Sequence, residues 1–418
     1  MPDSWLPIAA DSDFSVHNLP FGIFSAPGRP RRTGVAIGDW IIDLAAGEAR
    51  GLFAGLGVDR EVFLSASLNR FIALGKATTS AVRTRLAAAL VDPGSPLRDR
   101  QALVPHARAT LHLPVAIGDY TDFYSSIDHA THVGTMFRDP ANALLPNWRH
   151  LPVGYHGRAS SIVVSGTPIR RPAGQVLPKG EATPVFTATS RLDFELEIAF
   201  VIGKDSTLGE PIPVGQAEDY IFGLVLFNDW SARDIQQWEY VPLGPFLAKN
   251  FASSISPWIV PIEALEPFRV VGQPQEPAVL PYLATTGARH LDIALEVGLV
   301  PASGDETIVS RSNARHLYWS MTQQLAHHTV NGCNVRVGDL MASGTISGPD
   351  AGSYGSLLEL SWAGSRPVPL RGGGTRTFLE EGDTVTLRGH ATRGDIRVGF
   401  GEVRGQVQPA NHPLLKMK

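Results

Sequence analysis

The stretch LDFELEIAF, from Leu192 to Phe200, restricts this chain more than any other. Read with a period of two, it places Leu192, Phe194, Leu196 and Ile198 on one face and Asp193, Glu195 and Glu197 on the other, which is the pattern of a β-strand. Acids are poor strand formers, and like charges lined up on one face repel. Carboxylates two residues apart on a strand sit roughly 7 Å apart, close enough for their side chains to converge on one cation. Two readings stand. A hard, oxygen-seeking ion such as Ca²⁺ or Mg²⁺ turns the repulsion into coordination, or the strand is half-exposed and its acids lie in water.

The rest of the chain narrows the setting. Its 418 residues suffice for one large domain or two. With 18% charged residues and a net charge of −4, it lacks the basic excess expected for nucleic acid or an anionic membrane surface. The 42 glycines and 32 prolines suit many short strands joined by tight turns. Cys333 is the sole cysteine, which excludes internal disulfides and a multi-cysteine zinc site and points to the reducing cytoplasm. No basic-then-apolar leader opens the chain, and no apolar run approaches the ~20 residues that span a bilayer.

Taken in order, residues 1–118 read as a small β-rich unit followed by helices, and residues 119–418 as a larger unit. The text turns helical from Asp59, a candidate N-cap, to about Val91, where Asp92-Pro93-Gly94 ends it. Ile117 to Arg138 brings together Asp122, Tyr124, His129 and Arg138 across a strand end, a turn and a helix that Ser126 or Asp128 could cap. Tyr155 lies in a Gly-flanked loop. An apolar strand, Ile221 to Phe227, runs into Asp229, and Ser231 is a candidate cap for a short helix carrying Arg233 and Gln236 on one face. Ser312 to Val330 reads as a helix with Leu317, Met321 and Leu325 buried, and SLLELSW reads as a strand holding Glu359. The remainder is all-β in texture.

Four carboxylates thus fall where strands would orient them: Asp122, Glu195, Glu197 and Asp229. They fit an oxygen-ligand site, and zinc is disfavoured because the region has no cysteine and no His-x-x-x-His helix. His129 is a candidate base, and His132, one turn further along the same face, competes with it. Arg233, Gln236 and Lys249 can stabilise an oxyanion, or the two cations simply pair with the acids. Glu359 is either a satisfied core acid or the orienter of a base. His327 and His328 point to different helix faces and read as structural.

The segments DFYSSIDHATHVGTMFR, NWRHLPVGYHGRASSIVVSGTPIRRP, LDFELEIAF, FNDWSARDIQQWEYVPLGPFLAKNF, SNARHLYWSMTQQLAHHTVNGCN and SGTISG, in this order, closely resemble the fumarylacetoacetate hydrolase family. The likeness spans nearly all of residues 115–405, and NLPFGIFS and GVAIGDWIIDL resemble the family's N-terminal domain.

The resemblance implies a mainly β, α+β chain: a small SH3-like β-barrel domain with helices at 1–118, and a mixed β-sandwich roll holding the metal at 119–418. It implies water-driven cleavage of the carbon–carbon bond of 4-fumarylacetoacetate to fumarate and acetoacetate, the last step of phenylalanine and tyrosine breakdown, in a cytoplasmic homodimer acting on a small diketo acid. Ca²⁺ would be held by Asp122, Glu195, Glu197 and Asp229. Asp193 shares the acids' face but matches no ligand position. His129 would be the general base, oriented by Glu359, and Arg233, Gln236 and Lys249 would hold the oxyanion. Tyr124, Arg138, Tyr155, Gln236, Tyr240 and Thr345 match substrate-contacting positions. A second ion, Mg²⁺, matches Asp229, Lys249, Ala252 and Ser253, although the family pattern has Gly and Thr where this chain has Ala252 and Ser253. A carbonyl and a hydroxyl remain there. The alternative within the same superfamily is an acylpyruvate or β-keto acid hydrolase or decarboxylase, and outside it a metal-stabilised binding protein without turnover.

Overall fold

The computed structural model describes residues 4–416. Its spine is one long sheet that runs Leu103–Pro105, Trp40–Asp43, Arg29–Ile37, Phe21–Ala26, Trp258–Pro261, Ile221–Asp229, Leu196–Ile202, Leu340–Ala342, Tyr120–Phe123 and Gly154–His156. The two central strands are buried at every position. Alternation explains why. In Leu196–Ile202 the even residues, Leu196, Ile198, Phe200 and Ile202, enter one core, while Ala199 and Val201 enter another. In Ile221–Asp229, Leu224 and Leu226 face the first core and Val225 and Phe227 the second. At roughly 1.5–3 kcal/mol for each large apolar side chain fully buried, these two layers hold the central strands firmly enough to carry charged groups at their ends.

The first core is closed by a second sheet in the order Thr307–Asn313, Ala294–Val300, Thr384–Arg393, Ile396–Gln408 and Ile169–Arg170, which supplies Leu295, Val297, Leu299, Leu387, Phe400 and Val403. The second core is closed by the N-terminal residues, among them Phe21, Ile23 and Val35 from strands and Val82, Leu86 and Leu90 from the helix Lys76–Val91. The fold is thus mixed α/β and strand-rich. The N-terminal strands follow an open path into the spine, with Thr110–His112 added to Phe21–Ala26, and close no barrel.

Five local expectations change, the first being that Tyr155, expected in a Gly-flanked loop, lies in the strand Gly154–His156 paired with Tyr120–Phe123. The acidic stretch is not one strand: Leu192–Asp193 pairs with Ser231–Ala232, the ladder breaks at Phe194 and Glu195, and a new strand begins at Leu196. Ser312 to Val330 is not one helix. A strand ends at Asn313, a bridge between Ser126 and Leu317 keeps the next segment extended, and the helix covers Met321–Thr329, started by a Ser320–Gln323 capping box. Glu359 sits in the short helix Leu357–Leu360, capped by Ser356, rather than in a strand. Ser231 lies in a strand, and the helix Arg233–Glu239 has no side-chain cap. The remaining caps follow expectation, with Asp59 capping Arg60–Phe63 and Ser126, not Asp128, capping Ile127–Phe137.

Candidate active site

The four carboxylates meet. One oxygen from each of Asp122, Glu195, Glu197 and Asp229 lies within 4.8 Å of the others, and all four residues are buried. Each arrives from a different place in the spine. Asp122 stands on Tyr120–Phe123, level with Ala342 on one side and Tyr155 on the other. Glu197 is the second residue of its strand, opposite Phe227. Asp229 closes Ile221–Asp229, opposite Ser253. Glu195 reaches the cluster because the ladder breaks there, with its amide donating to Asn228 Oδ1 at 3.1 Å. Buried acids are expected only where something pairs with them, so the reading of acids lying in water is wrong.

Two cations answer part of the charge. Lys249 Nζ lies 2.7 Å from Glu195 Oε2 and 2.5 Å from Asp229 Oδ2, and donates to Ser231 Oγ at 2.9 Å. Arg233 Nη2 donates to Glu195 Oε1 at 2.7 Å, Nε to Asp193 Oδ2 at 2.9 Å, and Nη1 to Gln236 Oε1 at 3.1 Å. Burial pushes the Glu195 carboxyl up, but Lys249 and Arg233 outweigh it and hold the group well below the usual carboxylate range. For Asp122 and Glu197 the pull of Lys249 is outweighed. Burial, and then the neighbouring carboxylates, drive both far above the ordinary range. Among the described residues Asp122 Oδ1 and Glu197 Oε1 are buried without a hydrogen-bond partner, whereas Glu197 Oε2 accepts from the Gly344 amide at 3.0 Å. Gly344 must be glycine there: its φ is +75°, and a Cβ would lie 2.1 Å from the Phe123 carbonyl oxygen. Orphaned, mutually repelling carboxylate oxygens aimed at one point are what a hard divalent cation satisfies, so the donor set fits such an ion.

Beside the cluster lies a second unit. Glu359, 1% exposed, accepts from His129 Nδ1 at 2.7 Å and His132 Nδ1 at 2.9 Å, and from Ser347 Oγ and Ser356 Oγ, both at 2.9 Å. Burial raises this carboxyl too, but His129 and His132 bring it down to about 2. A bond from Nδ1 to a carboxylate places the imidazole proton on Nδ1 and leaves Nε2 of His129 as the basic nitrogen.

The other expected positions divide. The Tyr124 ring stands edge-on to His129 at 5.3 Å. Tyr155 donates to Asp229 Oδ2 at 3.2 Å, and Thr345 Oγ1 is buried without a partner. Ser253 Oγ donates to Asp229 Oδ1 at 2.7 Å, and Ala252 is buried next to it. Arg138 is exposed and binds the Ala143 carbonyl through Nη2 at 2.6 Å, and Tyr240 is 51% exposed. Neither is drawn into the cluster. His327 and His328 hydrogen-bond Tyr282 and Thr121, respectively, as structural residues do.

Sequence reading underrated Asp193, Ser231, Ser347 and Ser356. Asp193 carried a signal, an acid inside an apolar alternation, but a ligand search passes over an acid that is held by an arginine. Ser231 and Ser347 are contacts of the tertiary structure and leave no local pattern, whereas Ser356 stands three residues before Glu359 in a Ser-x-x-Glu capping pattern.

Comparison with known proteins places the chain in a family. A model described as "Fumarylacetoacetate (FAA) hydrolase C-terminal" matches residues 120–408, and one described as "Fumarylacetoacetase N-terminal" matches residues 17–114. The fumarylacetoacetase of Rattus norvegicus is 54% identical over 419 residues, covering 98% of this chain and 100% of that protein. That of Homo sapiens is 53% identical with the same coverage, and that of Arabidopsis thaliana is 50% identical over 97% of this chain and 98% of its own length. Among solved structures, a fumarylacetoacetate hydrolase from Exiguobacterium antarcticum superposes with a TM-score of 0.55 at 18% identity, covering 94% of this chain and 100% of that one, which shows a shared fold. Matched along both its N-terminal and C-terminal parts, this chain belongs to the fumarylacetoacetate hydrolase family.

Proposed function

We propose that this protein hydrolyses the carbon–carbon bond of 4-fumarylacetoacetate, giving fumarate and acetoacetate, as the last step of phenylalanine and tyrosine breakdown. The observation that carries this reading is the pairing of His129 with Glu359 beside a buried four-carboxylate cluster. The relatives at 50–54% identity over nearly the full length bear the name of that activity.

The chemistry needs a base, an oxyanion trap and stabilisation of an enolate leaving group. His129 takes a proton from water at Nε2 while Glu359 steadies the resulting imidazolium through Nδ1. The hydroxyl adds to the carbonyl carbon bearing the unsaturated arm. Arg233, Gln236 and Lys249 stabilise the oxyanion. Collapse breaks the bond to the methylene carbon, whose electron pair leaves as the acetoacetate enolate and is then protonated on carbon. Asp122, Glu195, Glu197 and Asp229 would hold Ca²⁺, and Lewis-acid polarisation of the diketone oxygens is the chemistry such an ion supplies when bound. Asp229, Ser253 and the backbone carbonyls of Lys249 and Ala252 would hold Mg²⁺, because the Lys249 ammonium has no lone pair to offer. Tyr124, Tyr155 and Thr345 line the substrate. Arg138 and Tyr240, exposed in this structure, meet its carboxylate arms when they turn inward.

The same reading takes the chain as two units, 1–118 with an SH3-like core and 119–418 as the catalytic β-roll, in a cytoplasmic homodimer. Among the described residues no helix is long and apolar enough to cross a membrane. Incubating the purified protein with fumarylacetoacetate and, separately, acylpyruvates, with and without chelator, tests the assignment. Loss of diketone absorbance with release of fumarate, abolished by chelator and restored by Ca²⁺, is expected. Turnover of acylpyruvates alone would overturn it.

A further inference from the structure

Glu359 serves two histidines, and only one of them has been given a task. Oε2 is crowded, accepting from His129 Nδ1, Ser347 Oγ and Ser356 Oγ. Oε1 accepts from His132 Nδ1 at 2.9 Å, its one side-chain donor among the described residues. His132 follows His129 by three positions on the helix Ile127–Phe137, so both rings leave the same face one turn apart. The His132 ring is itself wedged, with its centroid 4.3 Å from that of Tyr354 and 6.2 Å from that of Trp362. A carboxylate tied at one oxygen can still rotate about its terminal bond, which is broad and weakly restrained. Rotation would carry Oε2 off the line to His129 Nδ1. A second donor on Oε1, delivered by a ring packed beside Tyr354 and Trp362, opposes that rotation.

We propose that His132 is a positioning residue that locks the rotation of the Glu359 carboxylate and thereby fixes the orientation and tautomer of His129. The inference rests on the reading of His129 as the general base. It assigns His132 no contact with substrate. Its role is to keep Glu359 Oε2 aligned as His129 gains and loses its proton.

Two substitutions separate this role from simple packing. His132→Asn keeps a donor near the position of Nδ1 and loses the ring, while His132→Phe keeps the ring against Tyr354 and Trp362 and loses the donor. A hydrogen bond to a charged group has a net worth of about 10- to 100-fold, so His132→Phe should lower kcat by that range with KM unchanged. His132→Asn should recover most of the loss. In ¹⁵N-edited NMR of the resting protein, the His129 Nδ1–H resonance should persist in His132→Asn and broaden or vanish in His132→Phe. Parent-like kcat and an unchanged His129 resonance in His132→Phe, or a larger loss in His132→Asn than in His132→Phe, would overturn the proposal. His129→Gln is the control: if it retains turnover the base assignment fails, whereas an inactive His129→Gln beside a fully active His132→Phe refutes the role of His132 alone.

Discussion

Replacing Glu359 with glutamine tests the base unit most directly, because the structure sets the size of the effect. Burial alone would raise a carboxyl here, yet His129 and then His132 lower it from 4.5 to about 2. The Nδ1–H of His129 donates to this carboxylate at 2.7 Å, and a hydrogen bond to a charged group has a net worth of about 1.5–3 kcal/mol, which is about 10- to 100-fold in rate. Geometry adds to it. A glutamine has one acceptor, and if its amide NH₂ faces His129, the proton on Nδ1 has no acceptor and the ring favours the wrong tautomer, a fault worth up to ~10⁴ where an aspartate orients a catalytic histidine. We therefore expect Glu359→Gln to lower kcat by at least about 10²-fold with KM within about threefold. Initial rates from diketone absorbance, with fumarate quantified separately, measure both constants. A kcat within threefold of the parent would falsify the base unit as described, provided that circular dichroism and calcium-dependent melting show an intact fold.

Two further perturbations address the cluster and the acid stability of the fold. In Glu197→Gln, a carboxyl that burial and Asp122 already keep from ionising gives way to a neutral amide of the same shape, so under chelator the variant should melt no lower than the parent. Calcium at about 100 times the dissociation constant stabilises the parent by ~2.7 kcal/mol, and most of this gain should vanish in the variant; an equal calcium response in both proteins would exclude Glu197 as a ligand. His106 is half-buried and stacked on Trp258, its Nε2 has no hydrogen-bond partner among the described residues, and desolvation lowers it to about 4. The unfolded chain then binds the extra proton between about pH 6.5 and 4, so the contribution of neutral His106 is complete above that window and is lost as pH falls through it. His106→Phe should reduce the slope of unfolding free energy across the window by up to ~1.4 kcal/mol per pH unit in urea titrations, and parallel slopes would show that His106 does not titrate with folding.

The legible parts of this molecule were those written in local period. Leu196 to Ile202 alternates, and its two faces enter two cores. Asp122 and Asp229 stand near strand ends, where a side chain can leave the ladder toward a neighbour. Arg233 and Gln236, three apart, do share a helix face and a hydrogen bond. What stayed hidden depends on partners distant in sequence. SLLELSW is the exception, a local signal passed over: it alternates well enough for a strand, but Ser356, three residues before Glu359, accepts from the Glu359 amide and starts a helix. Leu317 is buried as a helical stripe would require, yet by pairing with Ser126. The donors on Glu359 come from three separate segments, and no spacing announces them.

The break in the acidic stretch shows how the two halves of the site are joined. A continuous strand would leave Asp193, Glu195 and Glu197 on one face as equivalent acids. By ending the ladder at Asp193, the chain sends the three carboxylates to different tasks. Asp193, fully buried, accepts from Arg233 Nε at 2.9 Å on Oδ2, from the Leu357 amide at 2.8 Å on Oδ1, and from the Leu358 amide at 3.1 Å on Oδ2. Burial pushes its carboxyl up, and Arg233 opposes that push. One carboxylate thus grips both the arginine that reaches Glu195 and the helix that carries Glu359. An unpaired charge at this depth would cost several kcal/mol, so neither arm can shift without exposing the other's partner. The four-carboxylate cluster and the His129–Glu359 pair are thus held in register by Asp193.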